Sequence, residues 1–356
     1  MKVSKLLDWL KAEGLFPTVE LHYKSFSKIF EECLVAKDEP ILIIGDFGYP
    51  TRRIAPILAG CYIMSAKELG LNISLAMQEP KNLNEIADEE IINKMLSLPE
   101  KSVIIQVQSG KLGSLKHLGK SFRKFCKDNK HRFTSTGNLG DIDTYLLKRV
   151  ILPMMVDYDK MKKNHLKLKS LLDDAKEVRI TTKAGTDIIF DIRGVESRSN
   201  DGIYHADATG GNIPAGEVYL PPKNSNGKVV IDVSSRNAYC TAVIEKPIVL
   251  EIKDNQVISI SGGEEADILE KSLRAAEALA KYPERIRVLA ELGIGLNPKA
   301  KILGLTIVDE KCLGTAHVAI GSNYWFGGAN KTIIHFDQVF NQPRIFVDGK
   351  RIRVPL

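Results

Sequence analysis

The stretch Pro40–Met77, PILIIGDFGYPTRRIAPILAGCYIMSAKELGLNISLAM, decides the architecture of the first half of the chain. It begins as a compact β-branched run, Pro40 to Asp46, that ends on turn residues. Arg52 to Gly70 then carries apolar residues at helical spacing, and NISLAM returns to a strand pattern. Strand, helix, strand in succession predicts two parallel strands, because parallel neighbours need a crossover that is usually a helix. SVIIQV (Ser102–Val107) and HRFTST (His131–Thr136) extend the series, with a helix expected over 110–129 between them. The glycines of IIGDFG match neither a dinucleotide fingerprint nor a phosphate-binding loop, so they read as a strand-to-helix turn.

The pattern changes near Met155. EVRITTKAGTDIIFDIRG (Glu177–Gly194), KPIVLEIKDNQVISISGG (Lys246–Gly263) and RIFVDGKRIRVPL (Arg344–Leu356) each pair two runs around a turn that contains glycine or asparagine, the signature of a hairpin. Ala266–Tyr282 is a helix with Leu269, Leu273, Ala276 and Leu279 on one face. The expected fold is α/β: a Rossmann-like parallel-sheet domain over 1–155, then a β-rich mixed α+β domain over 156–356.

Composition bounds the function. A chain of 356 residues with 44% hydrophobic and 26% charged residues suits two globular domains. The net charge of +6 owes much to Asp159–Lys169, a lysine-rich helix without the aromatic-studded stripe of a nucleic-acid surface, so no nucleic-acid partner is expected. The five cysteines are scattered and lack C-x-x-C spacing, which argues against a disulfide framework or a cysteine zinc site. The N-terminal segment lacks the apolar run of a signal peptide, and no stretch approaches the roughly 18 apolar residues of a membrane span. A cytoplasmic protein is expected.

The chemistry concentrates in the second half. If TIIHFDQV (Thr332–Val339) is a strand, His335 and Asp337 share a face, with Ile334, Phe336 and Val339 turned mostly away. His205 and Asp207 have the same spacing, but an H-x-D pair alone is more often a hydrogen-bonded couple. Around the second pair stand Glu310 and His317 upstream, and Glu291 and Glu217 in glycine-flanked apolar settings. A glutamate in such a setting is costly when ionised and unpaired. Together these residues make a set of oxygen and imidazole donors suited to zinc, manganese or cobalt.

NIPAGEVYLPP, AELGIGLNP, DEKCLGTAHVAIG and GGANKTIIHFD, preceded by EVRITTKAGTDIIFDI, resemble in order the metallopeptidases of the aminopeptidase T/S group, family M29. The resemblance implies two adjacent divalent ions (Zn, Co or Mn) held by Glu217, Glu291, Glu310, His317, His335 and Asp337, with Glu291 as the bridge. Glu310 stands two residues out of the family's spacing, where Cys312 falls instead. A shared hydroxide would attack the first peptide bond, with Glu291 or Glu310 moving the proton and Tyr324 steadying the oxyanion. Peptide substrates and a homodimer are also implied. The 2,5-dihydroxypyridine dioxygenases resemble the same scaffold. They imply a single iron held by the H-x-D pair and a histidine where this chain has Glu291, with no counterparts of Glu217 and His317. Because position 291 is glutamate, the sequence alone favours the aminopeptidase. A scaffold without turnover is the third reading, and metal content separates it from both enzymes.

Overall fold

The computed structural model describes residues 2–82, 85–116 and 121–355. The chain divides into two compact units, Met1–Tyr158 with Gly202–Ala215, and Asp159–Asp201 with Gly216–Leu356.

In the first unit β1 (Ile41–Asp46), β2 (Ile73–Gln78), β3 (Val103–Val107) and β4 (Arg132–Thr136) form a parallel sheet. The short β8 (Gly210–Asn212), from the inserted segment, adds to the edge of β4, giving the order β2-β1-β3-β4-β8. The helix Ile54–Glu68 is buried nearly all round, which explains why its apolar residues show no polar face. Its outer side is covered by the helices Val3–Ala12 and Phe16–His22: a Cβ at Gly60 would come within 2.8 Å of Leu10 and 2.9 Å of Val19. The helix expected over 110–129 is present as Phe122–Asp128, and residues 117–120 lie outside the described residues. Asp46, at the end of β1, accepts hydrogen bonds from Gly48 N at 3.0 Å and from Ser109 N and Oγ at 2.6 Å. Ligands of open parallel sheets bind where the strand order reverses, here between β1 and β3. The Asp46–Ser109 contacts bridge those two strand ends, and IIGDFG is a turn.

The second unit contains two seven-stranded antiparallel sheets. One is built from β5 (Glu177–Thr181), β6 (Asp187–Asp191), β10 (Asn224–Ile231), β13 (Ile248–Lys253), β14 (Gln256–Ser261), β18 (Arg344–Val347) and β19 (Lys350–Ile352). Its hairpins turn where expected: Asp254 and Asn255 both have positive φ between β13 and β14, as do Asp348 and Gly349 between β18 and β19. The other sheet runs β12 (Thr241–Val243), β11 (Ser234–Arg236), β17 (His335–Asn341), β16 (Thr315–Gly321), β15 (Leu289–Gly295), β9 (Glu217–Leu220) and β7 (Arg198–Asn200). Residues from both sheets, with Leu269 and Leu273 of the helix Glu264–Leu279, form one apolar core. Each such fully buried side chain contributes about 1.5–3 kcal/mol. Among the described residues no helix is long and apolar enough to cross a membrane.

Candidate metal centre

The four neighbouring strands β17, β16, β15 and β9 divide their residues by the two-residue period of a strand. Leu292, Ile294, Val318, Ile320, Phe336 and Phe340 face the core. The opposite face takes the polar residues. Ala319 pairs with Glu291 on one side and Asp337 on the other, so two carboxylates flank one methyl group in a single row. His317 lies opposite Gly293, His335 opposite Gly321, and Glu217 opposite Gly295. Each functional side chain therefore has a glycine or alanine beside it, which leaves room for the ring or carboxylate.

Two details depart from simple alternation. Val339 pairs with His317 and sits on the polar face rather than turning away from His335 and Asp337. In β15 the register shifts between Leu289 and Glu291, leaving Ala290 as an extra residue. This bulge lets Leu289 and Leu292 both reach the core although they are three apart, while Glu291 keeps the regular alternation that puts it on the opposite face. Asn323 Nδ2 holds the bulge by donating to Ala290 O at 3.0 Å.

The donors form a continuous chain of contacts. His317 Nε2 is 3.2 Å from Glu291 Oε1, and Glu291 Oε2 is 3.4 Å from His335 Nε2. His335 Nε2 lies 3.2 Å from Asp337 Oδ1, and Glu217 Oε2 is 3.5 Å from His317 Nε2. Glu310, at the end of the short helix Thr306–Asp309, also reaches this face: donors of Glu310, His317 and Asp337 lie within 4.8 Å of one another. Glu217, Glu291 and His317 make a second such group, and Glu291, His335 and Asp337 a third. All six residues that the sequence suggests as ligands are brought together.

The outer contacts suit metal ligation. His335 Nδ1 donates to Ser322 O at 2.8 Å, which fixes the ring and directs Nε2 at the two carboxylates. A backbone partner on the far nitrogen is the usual support of a metal-binding imidazole. Glu217 Oε2 and His317 Nδ1 are buried without a hydrogen-bond partner among the described residues. Burial opposes charge on His317, yet the Glu291 and Glu217 carboxylates outweigh it and push its pKa up to about 9. For His335 the Asp337 and Glu291 charges likewise overcome burial, giving about 10. Asp337 is lowered to about 2 because His335 overcomes its burial, whereas burial raises Glu291 and pushes Glu310 up to about 8.

The remaining predicted residues behave differently. Tyr324 is 60% exposed, with the Lys331 ammonium 5.0 Å from its ring. The aromatic side chain against the cluster is its neighbour Trp325, packed edge-on against His335 with centroids 4.7 Å apart. His205 and Asp207 bond within the first unit, to Glu32 O at 2.8 Å and Lys101 Nζ at 2.8 Å, and form no ligand pair. Sequence reasoning missed Lys311, which is wholly buried and contacts Glu217 and Glu310. Its place in the polar string DEK gives no hint of burial.

The sequence profile of the NicX family, 2,5-dihydroxypyridine 5,6-dioxygenase, matches residues 146–354, more than half of the chain. The chain belongs to this family. A 2,5-dihydroxypyridine 5,6-dioxygenase from Pseudomonas putida KT2440 is 23% identical over 213 residues, which take in 57% of this chain and 59% of that relative. Among solved structures, the 2,5-dihydroxypyridine dioxygenase of Pseudomonas putida KT2440 matches with a TM-score of 0.70 at 16% identity, over 93% of this chain and 94% of the other. AmpT from Thermus thermophilus matches with a TM-score of 0.63 at 13% identity, over 93% and 96%.

Membership of the dioxygenase family overturns the aminopeptidase expectation, together with its peptide substrates and its protease and hydrolase assignment. What the chain shares with AmpT is the fold. The motifs misled because the strands that present Glu217, Glu291, His317, His335 and Asp337 belong to a scaffold common to both structures. The spacing of those residues records the sheet rather than the reaction.

Proposed function

We propose that the chain is a metal-dependent dioxygenase that opens a dihydroxylated, six-membered nitrogen heteroaromatic ring. The observation that carries this reading is Glu291, whose two oxygens stand 3.2 and 3.4 Å from the Nε2 atoms of His317 and His335. Together with Asp337, which lies 3.2 Å from His335 and shares one donor group with it and Glu291, this makes a nitrogen and oxygen set of the kind that holds iron in non-haem oxygenases. The dioxygenases the sequence resembles have histidine at position 291. Here Glu291 takes that place, and His317, on the adjacent strand, stands 3.2 Å from it, with Gly293 opposite leaving space for the ring. Ferrous iron, when bound by these residues, would supply the redox chemistry that lets dioxygen react with a closed-shell ring.

The chain's own groups suit such a substrate. Trp325 and Phe326 both pack T-shaped with His335, with centroids 4.7 and 6.2 Å away, and make an apolar wall for a flat ring. The Glu310 carboxyl, raised to about 8 by burial, can hold or release a proton near neutrality, as a ring hydroxyl requires of its neighbour. The test is to load the purified protein with Fe(II) anaerobically and supply 2,5-dihydroxypyridine with oxygen. Oxygen uptake should match loss of ring absorbance mole for mole. Bound iron without oxygen consumption across a panel of dihydroxypyridines would sink the reading.

Metal loading should depend steeply on pH. With pKa values of about 9 for His317 and about 10 for His335, both rings carry protons at neutral pH in the metal-free protein. A metal must displace those protons, so its affinity rises with pH until both values are passed. The raised values also mean that stability contributed by these rings is complete below the ordinary 6.5 and is lost as pH climbs through about 9 and 10. The gap between metal-loaded and metal-free Tm should therefore widen from pH 6.5 to pH 10, and a flat gap would contradict the protonated rings.

A further inference from the structure

Two of the six donors already hold a cation, and it belongs to the chain. Lys311 has no exposed surface, and its Nζ lies 2.6 Å from Glu217 Oε1 and also contacts Glu310 Oε1. Its backbone is pinned on both sides: Lys311 N donates to Val308 O at 3.1 Å, and Lys311 O accepts from Asn297 N at 2.8 Å. Asn297 is itself fully buried, so the backbone that carries the lysine is held in the interior. Wholly buried lysines are rare and persist when anionic partners surround them.

This matters for how many metal ions the cluster admits. Of the three donor groups, one includes Glu217 and another includes Glu310. Both of those acids spend an oxygen on Lys311. The group Glu291, His335 and Asp337 is the one with no member on the lysine. A divalent ion at either of the other groups would sit beside an ammonium that already contacts Glu217 and Glu310, and would be repelled by it.

We propose that Lys311 is a built-in second cation: its ammonium takes Glu217 and Glu310 out of the ligand set and limits the chain to one divalent metal, held by Glu291, His335 and Asp337 with His317 beside them. The proposal rests on the reading above that the cluster binds metal, and it replaces the pair of ions that the sequence suggests.

The experiment uses Mn(II), because its electron paramagnetic resonance separates isolated ions from coupled pairs. The intact protein, saturated with Mn(II) and freed of excess, should retain one ion per chain and give an isolated six-line signal. Lys311→Met, shown to be folded by circular dichroism, should take up a second ion and give an exchange-coupled multiline signal. Lys311→Arg, which keeps the charge, should stay at one ion. Two coupled ions in the wild-type protein would overturn the proposal while leaving the metal reading intact. No binding of Mn(II), Fe(II) or Zn(II) would overturn the metal reading and this proposal with it. A folded Lys311→Met protein that still takes a single ion would show that the lysine does not set the limit. If that variant fails to fold, the wild-type count and spectrum decide.

Discussion

Glu291→Gln is expected to weaken metal binding by about 3–5 kcal/mol, on the order of a hundred- to several thousand-fold. Among the described residues Glu291 is the one acid that touches both imidazoles, at 3.2 and 3.4 Å, and it is buried. Glutamine keeps the shape but removes the charge, and it offers one oxygen where two are needed. The same change removes an anion that holds protons on His317 and His335, so the metal-free variant should carry those protons less tightly. Glu291→His is the informative contrast. It installs the imidazole that the resemblance assigns to the dioxygenases and should retain an ion, because His335, Asp337 and the new ring complete a ligand set. Affinities measured by competition with a chromophoric chelator distinguish the two. Equal loss in both variants would mean that histidine cannot take the place of the glutamate at position 291, and unchanged affinity in Glu291→Gln would remove it from the site altogether.

Where side-chain period and turn chemistry speak directly, the sequence was enough. PILIIGD, NISLAM and SVIIQV are strands of a parallel sheet because β-branched runs alternate with a helix that must cross over. Asp254-Asn255 and Asp348-Gly349 make tight hairpins because those residue types accept positive φ. The donor residues were legible for a related reason: an acid or imidazole in an apolar, glycine-flanked strand needs a partner.

Other features depended on register, which no periodicity reveals. The extra residue at Ala290 reverses the facing of β15 just before Glu291 and returns Leu289 to the core. Val339 follows the parity of His335 and Asp337 onto the polar face, although its side chain suggests the core. Lys311 was hidden because a lysine between glutamate and cysteine reads as surface, and its burial comes from Glu217, 94 positions away in sequence. Tyr324 and Trp325 are adjacent, and only the turn of the short helix Tyr324–Phe326 decides which of them meets His335. The reaction class was the least legible, since one scaffold hosts unrelated chemistry.

Gly293→Ala should be nearly as damaging as loss of a ligand, through sterics alone. A Cβ built there would fall 2.1 Å from both Cε1 and Nε2 of His317, far inside any contact distance. Gly293 does not have a positive φ, so its backbone makes no demand for glycine; the imidazole makes it. The methyl group must push the ring out of line with Glu291, or the strands must part. Overpacking of this kind costs about 1–3 kcal/mol of stability, and displacing the imidazole that supports Glu291 should lower metal affinity by about 10–100-fold. The double variant Gly293→Ala/His317→Ala separates the causes. With the ring removed, the new methyl group has space, so the stability cost of the glycine change should largely vanish, while metal affinity stays low because the imidazole is gone. Denaturant midpoints for the four proteins of this cycle measure the coupling. If Gly293→Ala costs the same with and without His317, the glycine serves the strand and not the ring, and the argument that β15 is shaped around His317 fails.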